Sequence, residues 1–376
     1  MQASVCDIIV IGAGIAGASV AAELAETSSV VLLERETQPG YHTTGRSAAL
    51  YSCIYGPPVI RGLSRASGAF FENPNSEFVS SELLKPRGLY FVARSDQAEA
   101  VEATLDELGA GVQEIALSSA RLRLPLLRNE YVDRVLFEEG SADIDVDALH
   151  QHYLKLFRHR GGSLSNSTEV VEINKISRGW EVVTTNGKYQ AETIVNAAGA
   201  WGDEIARLAS VAPVGLVPKR RTALLVSPPE GCEVDHWPMV VDIDEKFYMK
   251  PDAGKLLISP ADETPSAPCD AQPEDLDVAI CVDRIEKAFD LPIRRIDHKW
   301  AGLRSFVADK CPVAGFEPGV DGFFWLVGQG GYGIQSAPAL ARAASSLILG
   351  RALPQDIQDE GVTEKDLSRE REGLAA

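Results

Sequence analysis

Glycines spaced for phosphate binding, with an acid at the right distance beyond them, carry the most specific chemistry in this chain. Asp7-Ile8-Ile9-Val10-Ile11-Gly12-Ala13-Gly14-Ile15-Ala16-Gly17 is followed by Val30-Val31-Leu32-Leu33-Glu34-Arg35. The order predicts a strand running through 5–11, a tight turn, a helix, and a second strand ending in a carboxylate. Gly12 lets the chain turn sharply and Gly14 lets backbone amides approach a pyrophosphate. Ile15 and Ala16 open the helix, and Gly17 lets it pack closely on the sheet. The helix N-terminus adds unsatisfied N–H groups and the positive end of its dipole. Glu34 stands 22 positions after Gly12, where an acid accepts hydrogen bonds from a ribose. Together these residues predict dinucleotide binding.

The ribose carboxylate alone does not separate NAD from FAD. Three later segments do, because each brings small residues back toward the first turn. Gly40-Tyr41-His42-Thr43-Thr44-Gly45-Arg46-Ser47-Ala48-Ala49 suits a close wall for a flat ligand, and a helix starting near Ser47 would aim donors at it. The plainer alternative there is an ordinary loop leading into a helix. Asn196-Ala197-Ala198-Gly199-Ala200-Trp201 and Gly328-Gln329-Gly330-Gly331-Tyr332-Gly333-Ile334 each end an apolar strand in a small-residue turn before a helix, the last from about Ser336. A large, retained cofactor needs such walls, so the cofactor expected is FAD, bound non-covalently.

Those elements must be positioned by the rest of the chain. At 376 residues, with 45% apolar content, two domains are expected. The formal charge of −18 argues against nucleic acid and anionic membrane as partners. No apolar run reaches a membrane span and no leader is expected before the first strand, so the expected location is cytoplasmic. The six cysteines form no C-x-x-C pair, which predicts free thiols and no metal site.

The expected fold class is α/β with an α+β insert: a Rossmann-like FAD-binding domain (1–85, 140–213 and 296–376) and a discontinuous antiparallel-sheet substrate domain (86–139 and 214–295). Residues 58–75 and 96–108 read as helices, and a helical turn is expected within 121–128. A further helix is capped by Asp145 or Asp147. Three antiparallel strands over 167–192, with an Asn186-Gly187 turn, would cover one face of the main sheet. Strands are expected at 222–227, 239–242, 247–251 and 255–259, with Tyr248 alternating with Phe247 so that one points away from the core.

The order of these motifs resembles the D-amino-acid oxidase superfamily of FAD amine oxidoreductases. Within it, Pro218-Lys219-Arg220-Arg221, Phe247-Tyr248-x-Lys250-Pro251-Asp252, Asp147-Ala148-Leu149-His150 and Trp300-Ala301-Gly302-Leu303-Arg304-Ser305-Phe306 resemble the bacterial D-arginine dehydrogenases, broad-specificity D-amino-acid dehydrogenases. The likeness implies a cofactor set of Gly12, Gly14, Ile15, Ala16, Gly17, Glu34, Arg35, His42, Thr44, Gly45, Arg46, Ser47, Ala48, Ala49, Val170, Ala198, Gly199, Trp201, Arg304, Gly330, Gly331, Tyr332, Gly333 and Ile334. It also implies that Arg304 grips a substrate carboxylate with its planar fork, completed by Arg221 and Tyr248. Tyr55 would shape the pocket and Gly331 would offer a carbonyl near the substrate amine. The alternatives are a structural ion pair for Arg304, a solvated member of the Lys-Arg-Arg run for Arg221 and plain packing for Tyr248.

Departures from that pattern bear on the substrate. The position that holds a guanidinium-receiving glutamate in those enzymes is Leu89, and Leu50 and Ser52 replace the histidine and the flavin-facing hydroxyl residue. A leucine leaves a cationic side chain unpaired, at a cost of several kcal/mol. The resemblance therefore implies FAD-dependent oxidative deamination of D-amino acids with neutral or apolar side chains. The expected partners are a small amino-acid or amine substrate and an electron acceptor. Rival readings are an O2-using D-amino-acid or sarcosine-type N-methylamino-acid oxidase, and a non-catalytic FAD or anion-binding protein.

Overall fold

In the computed structural model, which describes residues 3–74, 77–79 and 81–374, the strands Ile8–Ile11 and Val30–Leu33 are buried at every position. Runs of β-branched and leucine side chains with no polar alternation require cover on both faces, the mark of a parallel sheet. That sheet has six strands in the order Ser163–Ser165, Val30–Leu33, Ile8–Ile11, Thr193–Asn196, Phe323–Val327 and Val313–Phe316. All neighbours are parallel except the last pair. One face packs on the helices Ile15–Leu24, Pro58–Glu72, Val146–His159 and Gly333–Ile348. The other packs on the strands Val170–Lys175, Trp180–Thr184 and Gly187–Ala191 and on the helix Gly202–Leu208.

Several expectations need correction. The first strand does not run through 5–11: Ser4–Val5 pairs in parallel with Gly187–Ala191, making the covering sheet four-stranded. The break falls at Asp7, whose carboxylate accepts from the Ser29 amide at 2.7 Å and the Ser29 hydroxyl at 2.6 Å. No helix starts near Ser47; residues 41–46 form turns and Leu50–Tyr51 is a short strand. Tertiary bonds hold this segment out of a helix: Thr43 Oγ1 donates to the Leu303 carbonyl at 2.7 Å, and Trp300 Nε1 donates to the Arg46 carbonyl at 3.0 Å. The last long helix begins at Gly333, ahead of Ser336, and the short helix expected within 121–128 is Leu117–Arg123. Of the helix expected over 58–75, Pro58–Glu72 is helical, and residue 75 lies outside the described residues. Asp145 is the cap of Val146–His159, accepting from the Ala148 amide at 2.8 Å.

A nine-stranded sheet contains Leu89–Ala93, Gln113–Ile115 and Arg134–Glu138 from the first inserted stretch, and Val217–Val226, Met239–Asp242, Tyr248–Asp252, Lys255–Ser259 and Thr264–Pro265 from the second. Its pairings are antiparallel except where Met239–Asp242 meets Leu89–Ala93 in parallel, and there the two stretches join. The ninth strand, His298–Phe306, was expected with the cofactor unit. It hydrogen-bonds along its length to Val217–Val226 and so belongs to this sheet. One face is covered by the helices Leu117–Arg123 and Asp275–Ala288, and the other bears Leu89, Ala223, Met239, Tyr248 and Leu257, packed against Ala48 and Leu50. Phe247 and Tyr248 point to opposite faces, yet both are buried because both faces are covered.

Candidate active site

A cavity of about 400 Å³ runs from the first glycine turn to the inner face of the nine-stranded sheet. Gly12 has φ +99°, and a Cβ there would lie 2.6 Å from the Ala197 carbonyl oxygen, so only glycine serves. A Cβ on Gly17 would fall 1.8 Å from the Gly12 carbonyl oxygen, which is why the helix can sit directly on the turn. Gly14 caps this helix without a side-chain bond, leaving its N-terminus facing the cavity. Glu34 Oε2 accepts from the Ala13 amide at 2.8 Å and Oε1 from the Glu36 amide at 2.9 Å. These bonds fix the carboxylate at the cavity wall while lone pairs remain for a ribose. Thr44 Oγ1 accepts from the Ile15 amide at 3.0 Å, tying the second small-residue loop to the first.

Ala198, Gly199, Trp201, His42, Ser47 and Ala48 also line the cavity. The Arg35 guanidinium lies 4.2 Å from the Trp201 ring and the His42 ring 4.7 Å from it, forming an aromatic and cationic shelf near Val170. Arg46 lines the cavity but its charge is used elsewhere. It pairs with Asp270 and donates to the Ala271 carbonyl at 3.0 Å and the Ala301 carbonyl at 2.9 Å. Its guanidinium therefore ties residues 270–271 and the strand at Ala301 to this loop. Gly45 and Ala49 stand behind the wall: a Cβ on Gly45 would lie 2.7 Å from the Gly40 carbonyl oxygen, and the Ala49 carbonyl accepts from Lys250 at 3.4 Å.

One supporting residue escaped the sequence reading of the site. His150 is buried and its Nε2 donates to the Ala13 carbonyl at 2.9 Å. A Cβ on Gly40 would lie 2.8 Å from the same ring, so His150 wedges between two cofactor loops. Burial lowers its pKa, which favours the neutral ring that makes this bond. Its only signal in the sequence was its place in the Asp147-Ala148-Leu149-His150 run.

The far end is cationic. In Lys219-Arg220-Arg221 the strand alternation divides the charges. Arg220 turns to the helix side and pairs with Glu274 and with Asp277 at 2.8 Å, while Arg221 turns into the cavity. Arg221 is 8% exposed; its Nη2 donates to Glu263 at 3.1 Å, and its Nε has no partner. Arg304 enters the cavity from the neighbouring strand, where Arg221 pairs with Gly302 and Lys219 with Arg304. Burial first, and then the Arg304 charge, lower the pKa of Arg221. Two guanidiniums of like charge in one half-enclosed space, one with a buried unbonded donor, form a site that an anion would relieve.

Tyr248 lines the same end, and the Tyr55 hydroxyl lies beside the Arg304 guanidinium. Burial raises the pKa of Tyr55, keeping it a neutral phenol. Its ring lies 4.9 Å from that of Tyr332, which turns toward Tyr55 and Phe306 rather than lining the cavity. Gly330, Gly331, Gly333 and Ile334 line the wall below Arg304. A Cβ on Gly331 would lie 2.7 Å from Arg304 Nη1, so this glycine makes room for the guanidinium. Leu50, Ser52 and Leu89 lie outside the cavity wall: Leu89 and Leu50 pack in the apolar cluster with Tyr248, and Ser52 is buried against Glu138.

The cavity's shape, its glycine-lined phosphate end and its buried ribose acid suit an FAD-binding oxidoreductase. The chain belongs to the FAD-dependent oxidoreductase family, whose model matches residues 7–347. A glycine oxidase of Pseudomonas aeruginosa is 26% identical over 370 residues, covering 92% of this chain and 95% of that one. Among solved structures, glycine oxidase from Geobacillus kaustophilus has a TM-score of 0.81 at 22% identity, covering 93% of this chain and 95% of that one. The L-proline dehydrogenase from P. horikoshii has a TM-score of 0.79 at 20% identity, covering 96% and 100%. FAD is thus the cofactor and the reaction class is oxidoreduction. Among the described residues no group of His, Cys, Asp or Glu could hold a metal, and no helix is long and apolar enough to cross a membrane.

Proposed function

We propose that this protein oxidatively deaminates D-amino acids with neutral or apolar side chains. The observation that carries the proposal is the convergence of Arg221 and Arg304 with Tyr248 at the end of the FAD cleft. Arg221 and Arg304 neutralise the substrate carboxylate, and the rigid strands beneath them fix which face of Cα is presented. Bound FAD supplies the hydride acceptor for Cα–H. The Gly331 carbonyl is assigned to the substrate amine, which loses its proton before transfer; the released imine hydrolyses to a 2-oxo acid and ammonia. Tyr248 lines this end, and Leu89, Leu50 and Met239 pack with it in one apolar cluster, which supports neutral or apolar side chains.

The test is anaerobic bleaching of the bound flavin by a panel of D-amino, L-amino and N-methylamino acids. D-Leucine, D-methionine and D-phenylalanine are expected to reduce it fastest; D-arginine or D-lysine outranking them would overturn the side-chain assignment. The glycine oxidase likeness supports a second reading, an oxidase that passes electrons to O2. Peroxide release, compared with reduction of an artificial acceptor, separates the two. The six free cysteines support placing the reaction in the reducing cytoplasm.

A further inference from the structure

Glu138 ends the strand Arg134–Glu138 and sits directly across from Leu89, 5% exposed. Among the described residues no arginine, lysine or histidine pairs with it. Its partners are the Ser52 hydroxyl, 3.0 Å from one carboxyl oxygen and 2.8 Å from the other, and the Cys53 amide, which faces it. A buried carboxyl without a cation is a poor way to stabilise a sheet, since an apolar residue of similar size avoids the desolvation. Burial accordingly raises its pKa to about 7.

What the carboxyl holds is the start of a short loop that ends beside the candidate clamp. Ser52 is gripped twice, because its amide also donates to Gln335 Oε1 at 3.1 Å, and Gln335 Nε2 donates to Ser64 Oγ at 2.9 Å. At the other end, Arg61 Nε donates to the Gly56 carbonyl at 2.7 Å, and Gly56 has φ +90° with the Tyr332 ring 3.0 Å from where a Cβ would stand. Tyr55 lies between these anchors, with its ring on Tyr332 and its hydroxyl beside Arg304.

We propose that Glu138 is a positioning residue: from the inner face of the substrate sheet it fixes Ser52 and Cys53, so that Tyr55 is delivered to Arg304 in the geometry that receives the substrate carboxylate. The proposal rests on the carboxylate-clamp reading. It assigns a buried carboxyl that no cation pairs with, among the described residues, a task that neither the cofactor site nor the clamp itself performs.

The test is stopped-flow anaerobic reduction of the holoenzyme flavin by D-methionine, giving a dissociation constant and a limiting rate for each variant. Glu138→Leu is expected to weaken D-methionine binding about tenfold, leaving FAD content unchanged. Glu138→Gln, whose amide oxygen still accepts from Ser52 and Cys53, stays within about twofold of wild type. In a Tyr55→Phe background, adding Glu138→Leu costs less than about twofold, because the two residues act in series. Full additivity of the two substitutions, or wild-type binding by Glu138→Leu, overturns the proposal. An Arg304→Ala enzyme that binds D-methionine normally, with Glu138 and Tyr55 still coupled, overturns the clamp reading instead.

Discussion

The two ends of the cleft solve opposite problems with different materials. At the glycine end the wall is backbone: Gly12, Gly14 and the start of the helix Ile15–Leu24 offer amides and a dipole, and the Glu34 carboxylate is held by two amides of its own chain. At the other end two side chains on adjacent strands, Arg221 and Arg304, bring like charges into the cavity, Arg221 with Glu263 as its partner, and the proposed function makes them the seat of the substrate carboxylate. The first arrangement suits a ligand that stays. The second suits one that binds, reacts and leaves, because its affinity depends on a few replaceable contacts.

The sharpest way to break this contrast is Arg304→Ala. Loss of a charged, partly buried partner is worth about 2–4 kcal/mol, so kcat/KM for a D-amino acid should fall roughly 30- to 1000-fold through KM, with FAD content unchanged. An unchanged KM would remove Arg304 from the clamp.

His150→Ala tests the other end alone. Losing the bond to the Ala13 carbonyl should weaken FAD binding to the apoprotein about tenfold, while the KM of FAD-saturated enzyme stays the same. Glutamine at this position, able to donate to the same carbonyl, should restore most of the affinity in a fluorescence titration.

The smallest effect concerns stability. Folding raises the Glu138 carboxyl from 4.5 to about 7, so the native state holds its proton more tightly than the unfolded chain does. The resulting stability is fully present below about pH 4.5 and is lost as pH rises through 7. Glu138→Gln removes that loss, so the variant's thermal midpoint should gain on wild type between pH 5 and pH 8, by about 2 kcal/mol of unfolding free energy at most. A constant difference across that range would show that the carboxyl is not perturbed.

Local rules made the glycine end legible, because a turn, a helix start and a strand-end acid are all written within one short stretch. They also located Met239–Asp242 and Lys255–Ser259 to the residue. They failed where long-range bonds overrode local preference. Small residues after Gly45 suit a helix, yet the bonds of Thr43 to Leu303 and of Arg46 to Trp300 hold the segment that leads into them in turns. Arg46 sat inside a cofactor motif, yet Asp270 and two carbonyls take its charge. Arg134–Glu138 went unread because its burial is conferred by neighbours from distant parts of the chain.

By itself, the sequence determined that a dinucleotide lies on the first βαβ unit and that the cofactor is FAD, since spacing along one chain segment and recurring small-residue turns suffice for that. Only the tertiary structure decided which of three consecutive basic residues enters the cavity, that His298–Phe306 joins the substrate sheet and brings Arg304 beside Arg221, and that Glu138 stands behind the Tyr55 loop. Those outcomes depend on which strand pairs with which and in what register, and a shift of one residue would turn every side chain to the other face.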